Sequence, residues 1–257
     1  MIKIGSFFFR YRNTLFPLVF TLLFFEGTWP MFDNHLVEMW EIVVGTIIAL
    51  SGQTLRALTI GLAYIKRGGK KKKVYAKTLV QEGIFAHCRN PLYLGNLLIL
   101  LGVGIAGNSL LFILFGIPFL IFAYLAIISA EENYLRKRFG QEFDDYCRRV
   151  NRIIPDFSGI GNTMKGMEFK WNRLIVKEYA TPFVWITVLT FLIMKDTYLD
   201  YGYDASKYPL WPLSILSMVV TCAFFVAWYL KKNKFLRTSR KRQNPKHEIR
   251  ESTLSGF

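Results

Sequence analysis

The sequence predicts an all-α, polytopic transmembrane helical bundle of about six spanning helices with both termini cytosolic. Two observations carry that prediction: apolar residues gather in bilayer-length blocks, and Lys and Arg gather in alternate loops between them. Over 257 residues the chain is 52% hydrophobic and 16% aromatic, above the apolar share of a soluble domain. A net charge of +15 in a soluble protein would point to nucleic acid. Here the cations flank apolar blocks, where they meet anionic lipid headgroups, so the expected partners are lipid and not nucleic acid. Three cysteines, Cys88, Cys147 and Cys222, show no metal-binding spacing, and an odd number leaves no complete disulfide framework within one chain.

A helix crosses the hydrocarbon core with about 20 mainly apolar residues. Six stretches qualify, running approximately from Phe8 to Phe25, Leu36 to Tyr64, Leu92 to Ala106, Ser109 to Ala130, Tyr179 to Met194, and Pro209 to Leu230. Within the first, the apolar block Leu15 to Phe25 follows Lys3, Arg10 and Arg12 as a signal peptide would. No small-x-small cleavage site follows it, so it reads as a retained first helix. Only Gly107-Asn108-Ser109 separates the third and fourth, a tight hairpin in which Asn108 or Ser109 caps the next helix. Gly102 and Gly104, with Gly95 and Gly107, suit close helix packing.

Positive residues are retained in cytoplasmic loops. The segments 66–91 and 131–178 and the tail after Leu230 are rich in Lys and Arg, and the intervening loops are nearly bare. The chain divides into N-terminal helices (1–65), a core with a basic loop, hairpin and interfacial helix (66–178), a C-terminal hairpin (179–230) and a basic, disordered tail (231–257). The run Lys70 to Lys73 also reads as low-complexity. Within 131–154, Leu135, Phe139, Phe143, Tyr146 and Val150 recur at helical spacing between cations, as in a helix lying on a membrane surface. A second amphipathic stretch runs from Phe169 to Lys177.

This topology places four features at one depth, the cytosolic boundary: Arg56, the loop ending in Asn90-Pro91-Leu92-Tyr93-Leu94-Gly95, the Glu131-Glu132 pair, and the segment 148–155. Arg56 either faces a polar cavity or snorkels to the surface. Two carboxylates at a helix C-terminus oppose its dipole and call for a cation, either a side chain such as Arg136 or a ligand. Asn90-Pro91 is a good helix start, which leaves Tyr93, Gly95 and Asn96 unexplained. The sequence shows no metal cluster, no Ser-His-Asp pattern and no strand-linked G-x-G-x-x-G loop.

The stretch Leu79-Val80-Gln81-Glu82-Gly83-Ile84-Phe85-Ala86-His87-Cys88-Arg89-Asn90-Pro91-Leu92-Tyr93-Leu94-Gly95 is followed by a hairpin. Next come Glu131-Glu132-Asn133-Tyr134-Leu135 and Phe139-Gly140-Gln141-Glu142-Phe143, with Tyr146, Arg149, Val150 and Pro155. This order resembles the isoprenylcysteine carboxyl methyltransferase and phospholipid methyltransferase superfamily over roughly residues 50 to 155. The resemblance implies S-adenosylmethionine as cofactor, held by Lys77, Thr78, Leu79, Val80, Phe85, Asn90, Pro91, Leu92, Tyr93, Glu131 and Glu132. It implies as acceptor a membrane-embedded amphiphile, a lipid amine or a prenyl-like carboxylate or thiol. Arg56, His87 and Asn90 are the candidate catalytic residues, with His87 suited to proton removal by its near-neutral pKa.

Asn90 stands where the isoprenylcysteine branch usually has His, and Ile127 stands where its eukaryotic members carry an Arg. Both departures favour a lipid over a prenylated protein. Two other classes remain: a sterol-type NADPH reductase, which shares part of the motif but wants cations near Glu131, and a non-enzymatic protein that binds anionic lipid through its basic runs.

Overall fold

The computed structural model describes residues 1–24, 35–62, 67–70, 73–76, 78–201, 210–233 and 235. The bare loop 26–34, Lys71, Lys72, Lys77 and the tail 236–257 lie outside the described residues. In chain order the elements are α1 (Ile2–Phe20), α2 (His35–Leu62), β1 (Arg67–Lys70), β2 (Lys73–Ala76) and α3 (Pro91–Ala106). After a π-helical turn at Phe112–Gly116 come α4 (Ile117–Phe139), α5 (Gln141–Arg149), α6 (Ile160–Lys165), α7 (Trp171–Glu178), α8 (Ala180–Tyr201) and α9 (Trp211–Lys232).

The architecture is an all-α polytopic membrane bundle. α2, the helix over Phe112–Phe139, α8 and α9 are each long and apolar enough to cross a membrane. At 16 residues, α3 spans about 24 Å at 1.5 Å per residue, short of a hydrocarbon core of about 30 Å. α1 carries Lys3, Arg10 and Arg12 and is too polar to qualify. Among the described residues four helices are thus long and apolar enough to cross by themselves, and the shorter apolar α3 and the more polar α1 pack with them in the polytopic bundle that the sequence suggested. β1 and β2 form a two-stranded antiparallel hairpin in which Lys70 pairs with Lys73.

Glycines set the closest packing in the bundle. A Cβ on Gly45 would stand 2.4 Å from the Gly102 carbonyl oxygen, and one on Gly102 the same distance from that of Gly45. Two turns along, Gly52 meets the Gly95 carbonyl at 2.5 Å. A seven-residue repeat on both helices thus brings the α2 and α3 backbones together without intervening side chains, as apolar lipid surroundings favour. Antiparallel to α4, α1 approaches it where Gly5 meets Ala126, and Phe8 packs edge-on to Phe119 and Phe122. The buried core gathers from α1, α3, α4 and α8 around Phe112, Leu120, Ile127 and Leu192.

The hairpin turn behaves as the sequence suggested, with the roles separated. Asn108 adopts φ +50°, and the Ser109 hydroxyl accepts from the Phe112 N–H at 3.1 Å. Gly140, at φ +53°, ends α4 and redirects the chain into the strongly amphipathic α5, whose Phe143 and Tyr146 pack on Leu135.

Replacing Gly102 by Val should force α2 and α3 apart and lower stability by about 1–3 kcal/mol. Gly161→Val, where a Cβ meets open space, should leave stability unchanged. Thermal unfolding of the two purified variants in detergent checks the pair.

Candidate functional site

The loop before α3 is held from below by α5 and the segment after it. Gly83 takes φ +65°, opening a short 3-10 turn over Gly83–Ala86. The buried Tyr146 hydroxyl donates to the Phe85 carbonyl at 2.8 Å. Arg89 N–H donates to the Asn151 carbonyl at 2.9 Å and Asp156 N–H to the His87 carbonyl at 2.9 Å, while Asn90 Nδ2 donates to the Arg152 carbonyl at 3.0 Å. Asn90 occupies the N-cap of α3 without capping it through its side chain. This clamp fixes Asn90-Pro91, and with them the direction of α3.

Above the clamp lies a cavity of about 730 Å³, lined from α1, α2, α3, α4, α8 and the loop. Phe85, Asn90, Pro91, Leu92, Tyr93, Glu131 and Arg56 all line it. These are seven of the residues singled out from the sequence, drawn from segments far apart in the chain. Glu131 is only 5% exposed and accepts from the Tyr93 hydroxyl at 2.8 Å. The Tyr93 ring lies 5.3 Å from that of Tyr124, which in turn meets Phe16 edge-on at 5.0 Å.

The paired carboxylates do not stand at a helix end: α4 continues to Phe139 and closes on Arg136, Lys137 and Arg138. The dipole argument therefore does not apply to them. One residue further round the helix from Glu131, Glu132 turns away from the cavity and is neutralised by Arg152 at 2.8 Å and Arg89 at 3.3 Å. It is a structural anion and forms no part of the cavity lining.

Arg56 faces the cavity and does not snorkel. Its stem passes over Gly95, where a Cβ would meet Arg56 Cγ at 2.5 Å; the glycine of the N-P-x-Y-x-G motif makes room for this side chain. Its head forms a two-pronged pair with Glu178, Nε to Oε1 at 2.6 Å and Nη2 to Oε2 at 2.7 Å. Glu178 is 3% exposed. Nη1 also donates to Asn96 Oδ1. On the other side Gln53 joins Glu178 to Trp185, at 3.1 and 3.0 Å. A continuous polar network thus crosses from α3 to α8 through the arginine.

Four expected site residues lie elsewhere. Thr78 is exposed, Leu79 packs beside Leu135, Phe143 and Tyr146, and neither lines the cavity, nor does Val80. Lys77 lies outside the described residues. The fourth, His87, is buried behind the cavity wall, its Nδ1–H donating to the Asp156 carbonyl at 2.7 Å and its Nε2 2.9 Å from Thr163 Oγ1. Both ring nitrogens are engaged within the protein, and His87 does not line the cavity. Burial pushes the Cys88 thiol up from its ordinary range, and the thiol donates to the Ile153 carbonyl at 3.1 Å.

Sequence reasoning missed Arg12, Asn13 and Phe16 on α1, Tyr124 on α4, Thr181 and Trp185 on α8, and Glu178. One signal was present for the first group: Phe8, Arg12, Phe16 and Phe20 recur every four residues, so an arginine interrupts an apolar helix face. Glu178 carried no such mark, because its partner is 122 residues away in the chain.

Residues 39–142 match the family model described as phospholipid methyltransferase. Among curated proteins, the cobalt-zinc-cadmium resistance protein CzcN of Cupriavidus metallidurans is 32% identical, over 49% of this chain and 66% of its own. The nickel-cobalt-cadmium resistance protein NccN of Alcaligenes xylosoxydans xylosoxydans is 29% identical, over 49% of this chain and 67% of its own. This chain therefore spans just under two thirds of the first relative's length. No solved structure matches the chain.

Removing one member of a buried ion pair strands the other, at about 3–5 kcal/mol. Glu178→Ala should destabilise the protein by that amount, and the apolar double replacement Arg56→Met with Glu178→Leu should recover most of it. Chemical denaturation of the single and double variants measures both.

Proposed function

We propose, on the premise that residues 39–142 carry a phospholipid methyltransferase domain, that this chain is an integral membrane methyltransferase using S-adenosylmethionine. Its acceptor is a membrane-embedded amphiphile, a lipid amine or a prenyl-like carboxylate or thiol. The observation that supports this most is the meeting of Tyr93 and Glu131 in one cavity, bonded at 2.8 Å. They come from the two halves of the motif, on either side of the hairpin.

The residues present fit the cofactor. A buried carboxylate beside tyrosine rings suits a ligand cation, through charge and through the ring faces. Arg89 lines the same cavity, and a guanidinium there suits a ligand carboxylate. Phe85 and Tyr93 offer aromatic surface to an adenine. The volume falls within the range of about 300–1,000 Å³ common for small-molecule sites.

S-adenosylmethionine held there by Glu131 and Arg89 would supply an electrophilic methyl carbon on a sulfonium, open to direct displacement by an acceptor lone pair with the neutral thioether as leaving group. Such a transfer needs alignment and dryness more than a covalent nucleophile. Glu131 holds the cation, and Tyr93 fixes the orientation of its carboxylate. The Arg56–Glu178 network braces the wall, while Ile99, Leu100 and Val184 receive the apolar part of the acceptor and keep water out. We assign the loop end of the bundle to the cytosol because Lys and Arg concentrate there, with anionic headgroups meeting the basic surround. Metal resistance is said of the two relatives; the chemistry proposed for this chain is that of its matched domain.

Titration calorimetry on the purified protein should show saturable S-adenosylmethionine binding that Glu131→Gln weakens about ten- to hundredfold, the worth of a charge-assisted contact of about 1.5–3 kcal/mol. Absence of such binding, or thermal stabilisation by NADPH alone, would overturn the reading.

A further inference from the structure

Three arginines line the cavity, and two are already compensated. Arg56 is held by both oxygens of Glu178, and Arg89 is paired with Glu132. Arg12 has no carboxylate within ion-pair distance among the described residues. Its guanidinium carbon stands 4.5 Å from the Phe9 ring centroid, a contact that orients the charge without neutralising it. Among the described residues, Arg12 is thus the cavity arginine without a carboxylate partner.

Arg12 and Glu131 line the same cavity. From Glu131 the wall runs through the Tyr93 hydroxyl at 2.8 Å to the Tyr124 ring, 5.3 Å from that of Tyr93, and on to Phe16 at 5.0 Å. Phe16 follows Arg12 by one helical turn. Among the described residues no ion pair joins Arg12 to Glu131. Arg12 shares the cavity lining with the apolar Phe16, Phe20, Ile99 and Leu100, and α1 lies outside the matched segment 39–142.

We infer that Arg12 is a specificity-determining residue that anchors the anionic group of the methyl acceptor. The acceptor is then an amphiphile with a carboxylate or phosphate at Arg12, its chain against Phe16, Phe20, Ile99 and Leu100. This assignment rests on the methyltransferase reading above and adds the acceptor's charge and the residue that selects it.

The test uses the full chain in nanodiscs, as wild type, Arg12→Gln and Arg12→Lys, titrated against empty discs. The probes are S-adenosylmethionine, dodecyl phosphate, dodecanoate and, as a cation of like chain, dodecyltrimethylammonium. Arg12→Gln should weaken the anionic probes about tenfold or more, by loss of a charge-assisted contact, while S-adenosylmethionine binding holds and Arg12→Lys restores most of the anion affinity. The tighter of the two anions in wild type identifies the headgroup chemistry. The inference is overturned if Arg12→Gln weakens S-adenosylmethionine instead, which would assign Arg12 to the cofactor's carboxylate. It is equally overturned if the ammonium probe binds as well as the anions. Loss of S-adenosylmethionine binding in wild type would sink the methyltransferase reading separately, with the anion arm still read on its own.

Discussion

A guanidinium in the interior of a membrane protein must find its partners within the protein, and Arg56 organises much of this fold by that requirement. Reaching Glu178 demands that its stem cross α3, which only a glycine at position 95 permits. Glu178 in turn fixes the junction of α7 and α8, and α8 then brings Thr181, Val184 and Trp185 to the cavity. The C-terminal hairpin, outside the segment matched to the methyltransferase family, is thereby part of the cavity wall.

The same economy of charge separates neighbours that look alike on paper. Glu131 and Glu132 are adjacent, but about 100° of helical rotation sends one into the cavity and the other to two arginines. A carboxylate held by two guanidinium groups has little left for a ligand, whereas Glu131 lines the cavity beside the Tyr93 hydroxyl. Among the arginines a contrast repeats, with Arg56 and Arg89 paired to carboxylates and Arg12 resting on the Phe9 ring with no carboxylate partner among the described residues.

The motif read from the sequence mixes two kinds of residue. Tyr93 and Glu131 face the cavity. Gly95, His87 and Tyr146 shape it from behind, as room for a side chain, as a clamp to Asp156 and Thr163, and as a bond to the Phe85 carbonyl. Asn90 does both, lining the cavity while its amide holds the Arg152 carbonyl. A pattern of residue types does not distinguish these roles, because both are read off the same short loop. Leu79 illustrates the consequence: it sits in the recognised stretch and packs against α5, away from the cavity.

By itself the sequence determined the membrane character, the positions of the apolar helices, the turn at 107–109 and the motif residues at one end of the bundle. Those properties follow from hydrophobic length, helical period and local backbone preference, all of which act over a few residues. Only the tertiary structure decided that Arg56 is paired rather than snorkelling and that His87 is a clamp. It also decided that α1 and α8 complete the cavity around Glu131. The first two outcomes depend on side chains that meet across 122, 69 and 76 residues of chain, and pairing over such distances leaves no periodicity in the sequence.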